Sequence, residues 1–205
     1  MKETKTTDNG NIVKAFENIP EIFFRQSEIN IIDYGRQGFG ALCYVDFLRS
    51  KLIPQSIKKV TLIEQSEIYL KRAAEEVSSL LPDAEIVTVN KTIEDLSNND
   101  IACEENIPTL HILSNVFEML FDIGNFGMVI SNNLKGYNQF ACAERYNPAT
   151  DELWLYYFSG LFYDPEPKYS FDKVLEKEKT TTPFWEHILC FSIGEFEEDV
   201  STEVT

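Results

Sequence analysis

The part of the sequence that decides the fold reads Ile29-Asn30-Ile31-Ile32-Asp33-Tyr34-Gly35-Arg36-Gln37-Gly38-Phe39-Gly40. Its opening β-branched run ends on a carboxylate and predicts a buried strand over 29–33. The glycines then supply a turn. Apolar residues at helical spacing predict a helix from Phe39 to Lys51. This order of strand, turn and helix is typical of a βαβ unit in a mostly parallel sheet.

The same alternation continues along the chain. Further strands are predicted over 60–64, 85–89, 109–113 and 139–144, and helices over 12–26 (interrupted near Pro20), 67–81, within 116–134, and over 151–161. Residues 91–107 are acidic and irregular, and the extended segments 169–177 and 185–196 suit an antiparallel hairpin at a sheet edge. We therefore predict a Rossmann-like three-layer α/β/α sandwich with a mostly parallel seven-stranded sheet and an antiparallel C-terminal hairpin.

Length and composition suit one domain. We expect a single domain over 1–205, with an N-terminal helical extension over 1–28 and an acidic tail over 197–205. Apolar residues make up 43% and charged residues 25% of the chain, as in ordinary globular proteins. No apolar run approaches the ~20 residues that span a bilayer, and the polar N-terminus lacks the apolar stretch of a signal peptide. These features predict a cytoplasmic protein with no membrane partner.

The formal net charge of −16 argues against a nucleic-acid partner, because neutralising phosphates requires clustered Lys and Arg. Acidic residues also follow one another near the C-terminus, from Glu195 to Asp199. A charged terminal run is usually a solvated, frayed end. The alternative is that this tail, or the acidic surface, docks on a basic protein partner.

Cysteine and histidine give no sign of a metal centre. The four cysteines lie far apart without a CxxC spacing, so neither a zinc site nor a disulfide framework is expected. His111 lies inside a predicted buried strand, where a hydrogen-bonded core histidine is the expected role. His187 has no partner in sequence, and no Ser-His-Asp arrangement emerges.

Polar residues follow the predicted strands at the end where open parallel sheets bind ligands. Asp33 ends the first strand, Glu64 ends the second, and Ser114-Asn115 end the fourth. Glycines let the intervening turn approach a ligand, and a carboxylate can accept hydrogen bonds from a ribose diol. Taken singly, each acid is equally well explained as a helix cap. Together with Gly35 between them, they favour a ligand site.

This order of parts resembles the class I S-adenosylmethionine-dependent methyltransferases over nearly the whole chain. The family's loop reads Asp-x-Gly-x-Gly-x-Gly; here Gln37 and Phe39 stand at the second and third glycine positions, and a one-residue shift brings Gly38 and Gly40 into register. The resemblance implies S-adenosylmethionine as cofactor, with binding residues Asp33, Gly35, Arg36, Gly38, Gly40, Glu64, Asn90 and Lys91. In this assignment Asp33 and the three glycines border the methionine part, Glu64 holds the ribose, and Asn90-Lys91-Thr92 lie near the adenine. Arg36 either forms a salt bridge with the cofactor's carboxylate or obstructs the pocket with its bulk.

By the same resemblance, Ser114 and Asn115 face the transferred methyl group and form the catalytic set. Asn115 has an alternative role as the N-cap of a helix beginning near Val116. The implied function is methyl transfer to an unidentified small-molecule or protein acceptor.

Two alternatives remain open. One is a catalytically inactive methyltransferase-like module used for partner binding or regulation, favoured by the variant loop, the acidic tail and the lack of an acid directly after the third strand. The other is an NAD-dependent dehydrogenase. Its fingerprint is Gly-x-Gly-x-x-Gly, whereas this chain reads Gly-x-x-Gly-x-Gly.

Overall fold

The computed structural model describes residues 12–35, 38–117, 120, 122–146, 154–162, 174–179 and 185–194. Its helices are α1 (12–17), α2 (Glu21–Phe24), α3 (Phe39–Lys51), α4 (Glu67–Leu80), α5 (Ile123–Ser131) and α6 (Trp154–Gly160). Its strands are β1 (Glu28–Tyr34), β2 (Ser56–Ile63), β3 (Glu85–Val89), β4 (Thr109–Ser114), β5 (Asn138–Tyr146), β6 (Val174–Lys179) and β7 (Trp185–Ile193). Within these ranges, no helix has the length and apolar character needed to cross a membrane.

The strands form one seven-stranded sheet in the order β3-β2-β1-β4-β5-β7-β6. Strands β1 to β5 pair in parallel, and β7 runs antiparallel to both β5 and β6. Without β7, this is the Rossmann strand order 3-2-1-4-5-6. The C-terminal hairpin therefore inserts one antiparallel strand between β5 and β6, and the predicted Rossmann-like sheet with an antiparallel hairpin is confirmed.

Two apolar cores lie on opposite faces of the sheet. Helices α1 to α4 cover one face, where the ring of Phe16 packs edge-on against that of Tyr44 with centroids 5.0 Å apart. Helices α5 and α6 cover the other face, where Phe140 of β5 stacks on Phe191 of β7 with centroids 4.5 Å apart. The three-layer sandwich is thereby confirmed.

Some element boundaries differ from the prediction. β2 begins at Ser56 rather than at residue 60, because its first half carries Lys58 and Lys59, which pair with Glu28 and Glu104 and break the apolar pattern. The helix predicted within 116–134 is shorter than that stretch, since α5 spans Ile123–Ser131. Residues 91–107 are irregular, as predicted, and the helical turn expected around 93–96 is not a helix in the structure.

Leu52 ends α3 in a strained conformation. Its φ of 56° and ψ of 38° are left-handed, and its side chain is 88% exposed. A left-handed residue with a Cβ costs about 1–2 kcal/mol, which glycine avoids. We expect Leu52→Gly to raise the free energy of unfolding, measured by urea titration, by about 1 kcal/mol. This is the net gain once the entropy that glycine loses on folding has been subtracted. Leu52→Ala keeps the Cβ and is expected to show no such gain; an equal gain from both would contradict the assignment of strain.

Candidate functional site

The carboxyl ends of β1, β2 and β4 meet at one edge of the sheet. Tyr34 at the end of β1 lies in register with Ile63 of β2 on one side and with Leu113 of β4 on the other. The turns that follow these strands are therefore neighbours. The structure thus brings Asp33, Glu64 and Asn115 to the same edge.

Asp33 points inward beneath the glycine turn. It is 2% exposed, and its Oδ2 accepts a hydrogen bond of 2.8 Å from the backbone N–H of Ala41 in the first turn of α3. Burial raises the pKa of Asp33 to about 7; the N–H groups of Ala41 and Gly40 oppose the rise, and the charge of Glu64 adds to it. This geometry corresponds to the helix-capping alternative, so the first effect of Asp33 is to fix the start of α3.

The glycines of the turn serve two different purposes. Gly35 has φ of +81°, and of the described residues a Cβ there would meet only Ile93 Cδ1, at 3.8 Å, so the backbone conformation is what requires glycine. At Gly38, with φ of +68°, a Cβ would lie 2.8 Å from that of Ala73 in α4. At Gly40 a Cβ would lie 2.5 Å from Ile112 Cγ2. The last two therefore allow close packing of α3.

Arg36, a predicted cofactor-binding residue of this turn, lies outside the described residues, as does its neighbour Gln37. The assignment of Arg36 to the cofactor stays a prediction.

Glu64 follows the last residue of β2 and is half-buried. Its Oε1 accepts a hydrogen bond of 2.8 Å from the backbone N–H of Ser66, the N-cap position of α4. The hydroxyl of Ser66, predicted to cap the helix, makes no capping hydrogen bond. Glu64 thus combines a structural contact at the start of α4 with a position at the ligand-binding edge.

Asn90 and Lys91 connect the end of β3 to its surroundings. Asn90 Nδ2 donates to the carbonyls of Glu64 at 3.0 Å and Gln65 at 2.9 Å, which ties the turn after β2 to the end of β3. Lys91 Nζ lies 2.7 Å from Asp100 Oδ2, and this hydrogen bond lowers the pKa of the Asp100 carboxyl. Both side chains therefore position the loop that borders the glycine turn.

The turn after β4 is held by a buried carboxylate. Ser114 and Asn115 are both buried, and Asn115 adopts a φ of 51° while its N–H donates to the carbonyl of Ala143 at 2.8 Å. Glu144 of β5 is 4% exposed, and its Oε2 accepts from the N–H of Val116 at 2.9 Å. Helix α5 begins at Ile123 with Asp122 as its cap.

Glu144 is a site residue that sequence analysis missed. The only available signal was its position, because it is an acid near the carboxyl end of a strand, as Asp33 is. Its contact with Val116 spans 28 positions along the chain and is not visible in any local pattern.

A row of buried side chains joined by hydrogen bonds crosses the sheet below this edge. Tyr34 Oη donates to His111 Nδ1 at 2.9 Å, and His111 Nε2 lies 3.1 Å from Asn138 Oδ1. The Asn138 amide nitrogen donates to backbone carbonyls, so its oxygen faces the ring and His111 Nε2 carries the proton. Burial lowers the pKa of His111 to about 4, against a smaller effect of Asn138. The predicted hydrogen-bonded core histidine is confirmed.

No metal centre is evident in the part of the chain that the structure describes, where no three His, Cys, Asp or Glu side chains are grouped to hold an ion.

No family model matches the chain, and no curated protein matches its sequence. Solved structures do resemble it. The [4+2]-cyclase SpnF matches with a TM-score of 0.58 and 10% identity over 90% of this chain and 82% of that one. EvdMO1 matches with a TM-score of 0.56 and 10% identity over 91% of this chain, which spans only 41% of its length. Geranyl diphosphate methyltransferase in complex with SAM matches with a TM-score of 0.50 and 8% identity over 90% and 85% of the two chains.

Such low identities establish the fold alone. Strand order, the inserted antiparallel strand and these likenesses agree, and the chain has the fold of the class I S-adenosylmethionine-dependent methyltransferases.

Proposed function

We propose that the chain is an S-adenosylmethionine-dependent methyltransferase that holds its cofactor at the carboxyl edge of β1, β2 and β4. The observation that carries this proposal is the placement of the Gly35 turn beside the Glu64 carboxylate. They meet where β1 lies between β2 and β4, the point at which the strand order reverses and open α/β sheets bind ligands. The similar geranyl diphosphate methyltransferase forms a complex with SAM, which supports the choice of cofactor.

The residues at this edge fit the cofactor. Gly35, in a left-handed conformation that glycine favours, exposes backbone without a side chain in the turn. Each oxygen of the Glu64 carboxylate has two lone pairs, so accepting from Ser66 is compatible with accepting from ribose hydroxyls. We assign the methionine part to the Gly35 turn, with Arg36 at its carboxylate, and the ribose to Glu64.

The other predicted binding residues position the backbone around the ligand. Asp33 fixes the start of α3 through Ala41, and Gly38 and Gly40 allow α3 to pack closely. Asn90 holds the backbone on which Glu64 lies, and Lys91 orders the loop that follows β3. We therefore propose these five as positioning residues, with Asp33, Gly38 and Gly40 beside the methionine part of the ligand and with Asn90 and Lys91 beside its adenine.

The turn after β4 is the proposed acceptor side. When bound, the cofactor supplies an electrophilic methyl group on a sulfonium; methyl transfer then requires chiefly an aligned nucleophile and the exclusion of water. Ser114 and Asn115 offer hydrogen-bonding groups on a buried turn that Glu144 holds in place. We propose that this pair orients the acceptor, a small molecule or a protein, in a cytoplasmic reaction. The net charge of −16 suits a basic protein partner better than a nucleic acid.

A methyltransferase-like module without methyl-transfer activity is the second candidate. It is supported by SpnF, a [4+2]-cyclase with a similar structure, because one fold hosts unrelated functions. Asn90 supports it further, because the residue that follows β3 is an amide and not an acid. This amide donates to two backbone carbonyls. Binding of the cofactor without transfer to any acceptor would favour this candidate.

The ribose assignment is tested by Glu64→Ala in a calorimetric titration with S-adenosylmethionine. Hydrogen bonds to a charged group contribute about 1.5–3 kcal/mol, so the dissociation constant is expected to rise roughly 10- to 100-fold. Glu75→Ala removes an exposed acid elsewhere on α4 and is expected to leave affinity unchanged. Thermal unfolding of both variants checks that the loss of the Ser66 contact has not unfolded α4. Equal affinities in the two folded variants would remove Glu64 from the site.

A further inference from the structure

Asp33 is a buried carboxyl group with no cationic partner among the described residues. Its contacts are with the N–H groups of Gly40 and Ala41 at the start of α3, and none of the described Lys or Arg side chains is among the groups that shift its pKa. It also lies against Gly40 so closely that a Cβ there would be 2.9 Å from its Oδ1. The carboxyl group therefore lies directly beneath the turn proposed to hold the methionine part of the ligand.

The groups that face Asp33 make its surroundings negative or apolar. From the turn after β2, the carboxylate of Glu64 acts on it. From α3, the Cys43 thiol lies within its field, and the exposed Asp46 acts on that same thiol. From the flanking strands, its register partners are Leu62 of β2 and Ile112 of β4, both apolar. Ionised Asp33 thus adds negative charge to a low-dielectric region that already faces a carboxylate.

We propose that the positive charge of S-adenosylmethionine is compensated here by ionisation of Asp33, so that binding of this ligand releases a proton; this inference rests on the proposed function. S-adenosylmethionine carries a sulfonium cation, whereas S-adenosylhomocysteine has a neutral thioether and the same amino and carboxylate groups. The O–H bond of Asp33 breaks, its electron pair stays on the carboxylate, and the proton passes to the buffer. The site thereby distinguishes the methyl donor from the demethylated product by charge.

The direction of the pH dependence follows from linkage. Burial holds the pKa of Asp33 at about 7, so below this pH the group is mostly protonated before ligand binds. A nearby cation favours the ionised form and lowers the pKa. Affinity for S-adenosylmethionine therefore rises with pH, by up to about tenfold per pH unit below 7, and levels off above it. Affinity for S-adenosylhomocysteine stays nearly flat over the same range.

The test is calorimetric titration of the full chain with each ligand at pH 6.5, in phosphate and in imidazole, which differ in enthalpy of ionisation. At this pH the α-amino group, with an ordinary pKa of about 7.7–8.0, is protonated in both ligands. The change in observed heat between buffers gives the number of protons exchanged. We expect release of roughly half a proton or more with S-adenosylmethionine and near zero with S-adenosylhomocysteine.

Equal proton release with both ligands, or none with either, would overturn the proposal while leaving the proposed function standing. Failure of both ligands to bind would overturn the proposed function and this proposal together. Asp33→Asn is expected to bind S-adenosylmethionine without proton release at pH 6.5 and with one affinity from pH 6 to pH 7, below the range in which the ligand's α-amino group titrates. If release persists in that variant, another group supplies the proton and the proposal is wrong. If the variant does not fold, the two-buffer comparison on the unmodified chain decides.

Discussion

Gly40→Ala is expected to lower the free energy of unfolding by about 3 kcal/mol or to prevent folding altogether. The added Cβ would lie 2.5 Å from Ile112 Cγ2 of β4 and 2.9 Å from Asp33 Oδ1. Overpacking a well-packed core costs about 1–3 kcal/mol, and here α3 must also move away from Asp33 and weaken its hydrogen bond from Ala41. Urea denaturation followed by circular dichroism measures the change.

Gly160→Ala is the matched control. Among the described residues, leaving aside the backbone of its own helix and its chain neighbours, no atom lies within 4 Å of a Cβ added at Gly160, which ends α6. Alanine reduces the freedom of the unfolded chain, so this variant is expected to be more stable by about 0.5–1 kcal/mol. Wild-type stability in Gly40→Ala, with the control behaving as expected, would show that α3 does not pack on β4 as closely as described.

The second large effect concerns the buried ring of His111. Its pKa in the folded protein is about 4, below the ordinary value of 6.5. Between pH 4 and pH 6.5 the unfolded chain binds more protons at His111 than the folded protein does. This group therefore makes the protein less stable as the pH falls from 6.5 towards 4. Between pH 7.5 and pH 5.0, His111 is expected to lower the free energy of unfolding by about 2 kcal/mol. His111→Gln keeps hydrogen-bonding groups near Tyr34 and Asn138 and removes this loss.

Asp33 contributes a pH dependence of opposite sign. Its folded pKa of about 7 exceeds the ordinary value of 3.8, so its stabilising contribution is full below 3.8 and is lost as the pH rises through 7. The two contributions nearly cancel in the unmodified chain. The measurement is therefore the difference in unfolding free energy between His111→Gln and wild type at each pH, kept above the sequence pI of about 4.5. A difference that does not change between pH 7.5 and pH 5.0 would mean that His111 titrates normally.

Local patterns predict most of the fold because the decisive signals are local. The run of apolar residues after the glycine turn predicts a helix over 39–51, and α3 spans Phe39–Lys51. Likewise β3 occupies Glu85–Val89, the β-branched segment that follows Pro82-Asp83. The beginning of β2 escapes prediction, because Lys58 and Lys59 gain their partners only when β1 and the segment before β4 come together.

The site is less visible in the sequence, because its geometry depends on contacts between distant residues. The residue types at the carboxyl ends of β1, β2 and β4 predict correctly that Asp33, Glu64 and Asn115 share an edge. The inward orientation of Asp33 follows from the path of α3, and the backbone contacts of Asn90 depend on how β3 lies beside β2. Nothing near Glu144 in sequence indicates that it holds the turn after β4.

Calorimetric titration of the unmodified chain with S-adenosylmethionine, with NAD in a parallel cell, tests whether this edge of the sheet is a cofactor site. We predict saturable binding of one S-adenosylmethionine per chain, loss of affinity in Glu64→Ala but not in Glu75→Ala, and no binding of NAD. Absence of S-adenosylmethionine binding at millimolar concentration, or binding of NAD in its place, would contradict the assignment.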